Sequence, residues 1–213
     1  MHGILLAVAV LGASAPIENG AILMLQNSNK VVSGFTDSDI THLAIILRAE
    51  GRTWVYEATP AKVRRVLLKQ YYSEISLLNR DRQPATRVWL KRPRRAFSDD
   101  EEARLRNYLN SQLGRRYSIR GYVRDDAGDG IHCAALTAEA MQRTGRVAFS
   151  EPQRENPSTV MLRLREHYRP SEYVVIPPAP PSRKPLCVRV WHSFQGFRLW
   201  CGWSLYESLR FCF

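Results

Sequence analysis

Two strand-like runs joined by a tight turn constrain this chain most. Thr41-His-Leu-Ala-Ile-Ile-Leu47 and Thr53-Trp-Val-Tyr-Glu57 are rich in apolar, β-branched and aromatic residues, and Ala49-Glu-Gly-Arg52 lies between them. Such a pattern predicts a β-hairpin. Centring the turn on Glu50-Gly51 makes facing residue numbers sum to 101. His42 then faces Thr59, and Glu57 is its diagonal neighbour on the same face, within reach of long side chains. A shift of one residue would put Glu57 on the opposite face.

Further strands are predicted at Gly20-Ala-Ile-Leu-Met-Leu25, Val88-Trp-Leu90 and Glu172-Tyr-Val-Val-Ile176. Elsewhere the period becomes helical. Ser98-Asp-Asp-Glu101 has the form of a capping box, Leu105, Tyr108, Leu109 and Leu113 recur at helical spacing, and Gly114 supplies a stop. A second helix is predicted from Cys133 to Thr144, with Leu136, Thr137, Ala140 and Met141 on one face and Gly145 after it. The expected fold class is α+β, an antiparallel sheet or small barrel packed against helices.

Composition divides the chain into three parts. Residues 1–15 carry no charged side chain except the imidazole of His2; an apolar run from Ile4 to Leu11 precedes Gly-Ala-Ser-Ala, as in a signal peptide cleaved before Pro16. The alternative is a buried N-terminal strand or helix. Residues 16–177 hold 26 basic and 19 acidic residues and form the expected domain. Residues 178–213 open with a proline-rich linker and continue as a stretch rich in Cys, Trp, Phe and Arg, expected to be an unstructured tail. Its Cys187, Cys201 and Cys212, with His192, lack the paired spacing of a zinc site. No apolar run is long enough for a membrane-spanning helix. No metal or cofactor is expected.

Cys133 is the only cysteine of the central part. At a helix start, unpaired amides and the helix dipole favour thiolate, the nucleophile of acyl transfer, and the same amides suit a developing oxyanion. A lone cysteine is also commonly a small buried apolar residue. His42 opens an apolar strand, where an imidazole needs a partner. Glu57 supplies one, and would orient the ring as the third member of a triad does. A histidine satisfied locally and a carboxylate in solvent is the alternative. His132 adjoins Cys133, but adjacent helical side chains do not face each other, so it is expected to be a neighbour and not the base. His167 lies on a polar helical stretch and is expected at the surface.

The ordered set of a Gly-x-Ile strand, Thr-His-Leu-Ala-Ile-Ile, a hairpin ending in Val-Tyr-Glu-Ala, a helix, Gly-x-x-Tyr and a cysteine opening a helix resembles the circularly permuted NlpC-type papain-fold hydrolases, the YiiX/YebB-like group. The resemblance covers about residues 20 to 176, including Asn156-Pro-Ser-Thr159 and the final Tyr-Val-Val-Ile. It implies Cys133 as nucleophile, His42 as general base, Glu57 as orienting residue and Tyr117 as a substrate-binding residue. Four positions in three motifs depart from the family pattern. Ala21 stands where the family has Asp in Gly-Asp-Ile, Ser118 where Asp follows the tyrosine, and Ala134-Ala135 where Ser-Glu follows the cysteine.

The expected function is a cysteine hydrolase, acting through a thioester on an amide or ester of a peptide, cell-wall or lipid-derived substrate, and exported. An acyltransferase with the same intermediate and a non-catalytic binding module are the alternatives. For the last, the net charge of +11 and the basic run from Arg80 to Arg95 offer an anionic surface a place to bind. No nucleic-acid motif accompanies that run.

Overall fold

The computed structural model describes residues 16–28, 39–80, 82–120, 122 and 128–180. The proposed signal segment and nearly all of the proposed tail lie outside the described residues. The chain divides into two compact units, Met1–Ala179 and Pro180–Phe213. The sheet and the helices all belong to the first.

Its elements are β1 (Ile22–Gln26), β2 (Ile40–Ala49), β3 (Arg52–Ala58), β4 (Val63–Leu67), α1 (Leu68–Asn79), β5 (Arg87–Lys91), α2 (Asp99–Ser111), α3 (Cys133–Thr144), a 3-10 turn (Pro152–Arg154), α4 (Pro157–Arg163) and β6 (Glu172–Val174). The strands form one sheet in the order β4-β3-β2-β1-β5-β6, antiparallel throughout. The fold is α+β, and of the two sheet forms expected, the open sheet is found.

The hairpin has the expected register. Ala44 faces Glu57 and Ile45 faces Tyr56. Glu50 and Gly51 both take positive φ, 55° and 68°, the two left-handed residues of a turn whose twist matches its strands. β2 is apolar along its length because helices cover both faces of the sheet. Leu43, Ile45 and Leu47 join the core beneath α2, α3 and α4, while Ala44 and Ile46 join Tyr71 and Ile75 of α1 on the other side. Each fully buried Leu or Ile side chain among them contributes about 2 kcal/mol.

The helix signals hold with two adjustments. Ser98 Oγ accepts the Glu101 amide at 3.3 Å and Glu101 accepts the Ser98 amide at 2.7 Å, closing the capping box of α2. That helix ends at Ser111, so Leu113 lies beyond it and is exposed, whereas Leu105, Tyr108 and Leu109 are buried. α3 runs from Cys133 to Thr144 and stops at Gly145 in the left-handed conformation. It is buried around most of its surface, not on one face, because the sheet, α2, α4 and the 3-10 turn all pack on it. Its alanines at 134, 135, 138 and 140 permit that close packing. Asn156 and Thr159 close a second capping box at the start of α4.

β4 and α1 carry no comparable signal. Val63-Arg-Arg-Val-Leu67 has two arginines in five residues, and α1 lacks a side-chain N-cap. They form because Val63, Val66, Tyr71 and Ile75 complete the two cores. No helix among the described residues is long and apolar enough to cross a membrane.

Candidate active site

β2 and β3 place His42 and Glu57 side by side. His42 Nε2 and Glu57 Oε2 are 2.7 Å apart, the diagonal contact that the register predicts. The other Glu57 oxygen, Oε1, accepts from Arg64 Nε at 2.8 Å and lies 2.6 Å from Arg64 Nη2. Arg64 sits directly across from Glu57 on β4. Glu57 is only 4% exposed, so both oxygens need these donors. Burial works against its charge, but His42 and Arg64 outweigh it and hold the carboxyl below its usual range.

α3 brings the nucleophile candidate to the same imidazole. Cys133, 3% exposed, is the first residue of that helix, and its thiol is hydrogen-bonded to His42. Two backbone amides also reach the sulfur, from Ala134 and Leu43. Ala134 offers one of the unpaired amides of the helix start. Leu43 offers a strand amide with no ladder partner. Ile46 directs its amide and carbonyl to β1, so Leu43, three residues away, directs its amide toward β3. The pairing of β2 with β3 stops at Ala44–Glu57, and the sulfur takes the place of the missing acceptor.

These contacts set the electrostatics. Burial raises the Cys133 thiol, but the His42 charge and hydrogen bond and the two amides lower it further than burial lifts it. For His42, burial disfavours the cation, and the thiolate and Glu57 together overcome it and raise the imidazole. The pair therefore favours thiolate and imidazolium over thiol and imidazole.

A cavity of about 200 Å³ opens beside His42 and Glu57, with Thr41, Thr59, Arg64 and Tyr117 in its wall. Gly130 brings Tyr117 here. A Cβ on Gly130 would lie 2.2 Å from Ser118 Cβ, so only glycine lets these two segments touch, and Ile131 then donates to the Arg116 carbonyl at 2.9 Å. A larger cavity, about 390 Å³, lies among Arg94, Arg95, Glu101, Arg146, Glu166 and His167. It contains none of the four candidate residues.

His132 has a different task from the one its position suggests. Its Nδ1 accepts from the Ala135 amide at 3.4 Å, so it is the N-cap of α3, and its Nε2 donates to the Gln153 carbonyl at 2.9 Å. Burial lowers its basicity and keeps it neutral, as a cap that accepts must be. His167 is half-buried in a turn that follows α4, not on a helix. The basic run is not one uniform face. Arg92 pairs with Glu18 and Glu172, Arg95 pairs with Glu101, and Arg82 donates to the Ser28 carbonyl.

The structure thus brings His42 to both Glu57 and Cys133, and sets Tyr117 with His42 and Glu57 in the wall of one cavity; Arg64 and the Leu43 amide are additions. Arg64 is legible only through a strand that the local sequence conceals. No family model matches the chain, and no curated protein matches it. Five chains of solved structures do match. One is the crystal structure of the metalloprotein yiiX from Escherichia coli O157:H7 (DUF1105), 17% identical, covering 76% of this chain and 99% of that one, with a TM-score of 0.54. The fold is YiiX-like. That likeness spans most of the described domain, and at this identity it concerns the fold of the two chains alone.

Proposed function

We propose that this protein is a cysteine hydrolase with a permuted papain-like, NlpC-type arrangement, in which Cys133 is the nucleophile, His42 the general base and acid, and Glu57 the residue that orients His42. The observation that carries this reading is the continuous line of contacts from Glu57 through one imidazole to a thiol at a helix start. A structural cysteine gains nothing from such a line; a thiolate nucleophile needs it.

The chemistry follows from that order. The Cys133 thiolate attacks the carbonyl carbon of an amide or ester, forming a C–S bond as the carbonyl π electrons move to oxygen. The tetrahedral intermediate collapses, and the leaving amine or alkoxide takes the proton from His42. Neutral His42 then removes a proton from water, whose oxygen attacks the thioester. Collapse of the second intermediate releases the acid and returns the thiolate. Ser and Glu, which follow the cysteine in the family, are buried alanines here, so the Ala134 amide rather than a side chain faces the sulfur. Tyr117, which lines the cavity beside His42, supports a substrate contact there, and we take the substrate to be a peptide, cell-wall or lipid-derived amide or ester. The apolar segment before Pro16 supports an exported enzyme.

Solved yiiX is described as a metalloprotein. The donors here do not fit a metal. Among the described residues no group of three or more His, Cys, Asp or Glu side chains is arranged to hold a metal ion; those of this site bind one another instead. No step is assigned to one.

The test is alkylation of the full chain with iodoacetamide between pH 4 and 10, read at the Cys133 peptide by mass spectrometry. The reactivity limb is expected well below the ordinary thiol value of about 8.5. At pH 6 an ordinary thiol is about 0.3% thiolate, so His42→Ala is expected to slow the reaction roughly a hundredfold. A Cys133 limb near 8.5, unchanged by His42→Ala, would remove the catalytic reading.

A further inference from the structure

The triad residues alone leave an electrostatic imbalance. With Cys133 as thiolate, His42 as imidazolium and Glu57 as carboxylate, the line carries one net negative charge in a buried site. Arg64 supplies the missing positive charge. Its guanidinium lies in the cavity wall and holds Glu57 Oε1 through Nε and Nη2. On its outer side it holds a second carboxylate, with Nη2 2.6 Å from Glu74 Oε2, and Gln70 Nε2 donates to Glu74 Oε1 at 2.9 Å. The side chains of Arg64 and Glu74 are each about a third exposed, at 34% and 36%, so this arm runs from the buried triad to solvent.

The groups around Glu57 come from four elements. His42 approaches from β2, Arg64 from β4, Glu74 and Tyr71 from α1, and Cys133 from α3. The Tyr71 hydroxyl is buried without a hydrogen-bond partner, and burial together with the Glu57 charge keeps it protonated and neutral. Arg64 is thus the cation that balances the line, and Glu74 is the anion that competes for it.

We propose that Arg64 is a positioning residue of this site: by clamping one oxygen of Glu57 it aims the other at His42 and cancels the net charge of the buried line, while Glu74 sets how much of the guanidinium charge Glu57 receives. The proposal rests on the catalytic reading of Cys133, His42 and Glu57. Its consequence has opposite signs at the two ends of the arm. Removing a cation raises the proton affinity of every group near it, and removing an anion lowers it. A merely structural role would not produce that reversal.

The experiment is the same Cys133 alkylation profile on the full chain, with folding checked by circular dichroism. Arg64→Met is expected to move the acid limb up by about one pH unit, and Glu74→Gln to move it down by about a few tenths. Arg64→Lys, which keeps the charge but not the fork, is expected to restore most of the shift. If the wild-type limb is depressed and responds to His42→Ala, but neither Arg64→Met nor Glu74→Gln moves it in the stated direction, the proposal is overturned and the triad reading stands. A wild-type limb at the ordinary thiol value overturns both. Where Arg64→Met fails to fold, Glu74→Gln decides alone: a downward shift supports the role, and no shift or an upward one sinks it.

Discussion

Glu57 and Glu101 are both buried carboxylates, 4% and 8% exposed, and each is gripped by two basic side chains. Glu101 accepts from Arg146 Nε and Nη2 at 2.9 and 2.7 Å, from Arg95 at 2.9 Å, and from the Ser98 amide. Arg146 also donates to the Arg95 and Ala96 carbonyls and stacks on Phe97, 3.6 Å from the ring centre. That cluster ties the start of α2 to the chain after α3. Its partners are arginines, so it can hold a shape but does not pass a proton. Glu57 differs in one partner. His42 titrates, and it also meets a thiol. On the proposed reading a buried carboxylate holds architecture in one place and orients a proton carrier in the other, according to whether the neighbour is arginine or histidine.

Breaking each carboxylate should separate the two roles. The largest effect on stability is expected from Glu101→Gln, about 2–3 kcal/mol in urea unfolding near pH 7, with Cys133 reactivity unchanged. The Arg146 hydrogen bonds, opposed by burial and aided by the Ser98 amide and Arg95, hold the Glu101 carboxyl well below its usual range. Its folded value lies under its unfolded one. The stability it contributes is therefore complete above the ordinary carboxylate value and shrinks as pH falls toward the folded one. The gap between wild type and Glu101→Gln should narrow below about pH 4. A gap that widened on acidification would show that the carboxylate is not the stabilising form.

Glu57→Gln should reverse the pattern. We expect Cys133 alkylation at pH 6 to slow roughly tenfold, because the amide neither stabilises the imidazolium nor fixes the ring. A variant that lost stability but kept its alkylation profile would make Glu57 a second Glu101. The smallest effect belongs to His132→Ala, which removes the N-cap of α3 at a cost of about 1 kcal/mol. His132→Asn should recover most of that, since asparagine caps well. Loss of reactivity in His132→Asn, with stability restored, would return His132 to contention as the base.

Much of the site was legible because its parts obey local rules. The turn at Glu50-Gly51 sets the hairpin register, and the register sets the diagonal of His42 and Glu57. Ser98 with Glu101, and Gly145, mark helix ends through hydrogen bonds and backbone angles confined to a few residues. His132 was legible as a neighbour but not as a cap, since histidine is an uncommon cap and its side-chain direction depends on Gln153, far along the chain. Residues 62–79 were illegible for a related reason. Two arginines hide the strand pattern of β4, and α1 has neither a side-chain cap at its start nor glycine at its end.

By itself the sequence determined the hairpin and its register, the two capped helices and the presence of a cysteine where a helix begins, since these depend on turn angles, side-chain period and capping among residues close in the chain. Only the tertiary structure decided that Cys133 meets His42, that the Leu43 amide is left without a strand partner, and that Arg64 stands opposite Glu57. Those outcomes depend on which faces pack together and where one strand pairing stops, and no local rule contains that information.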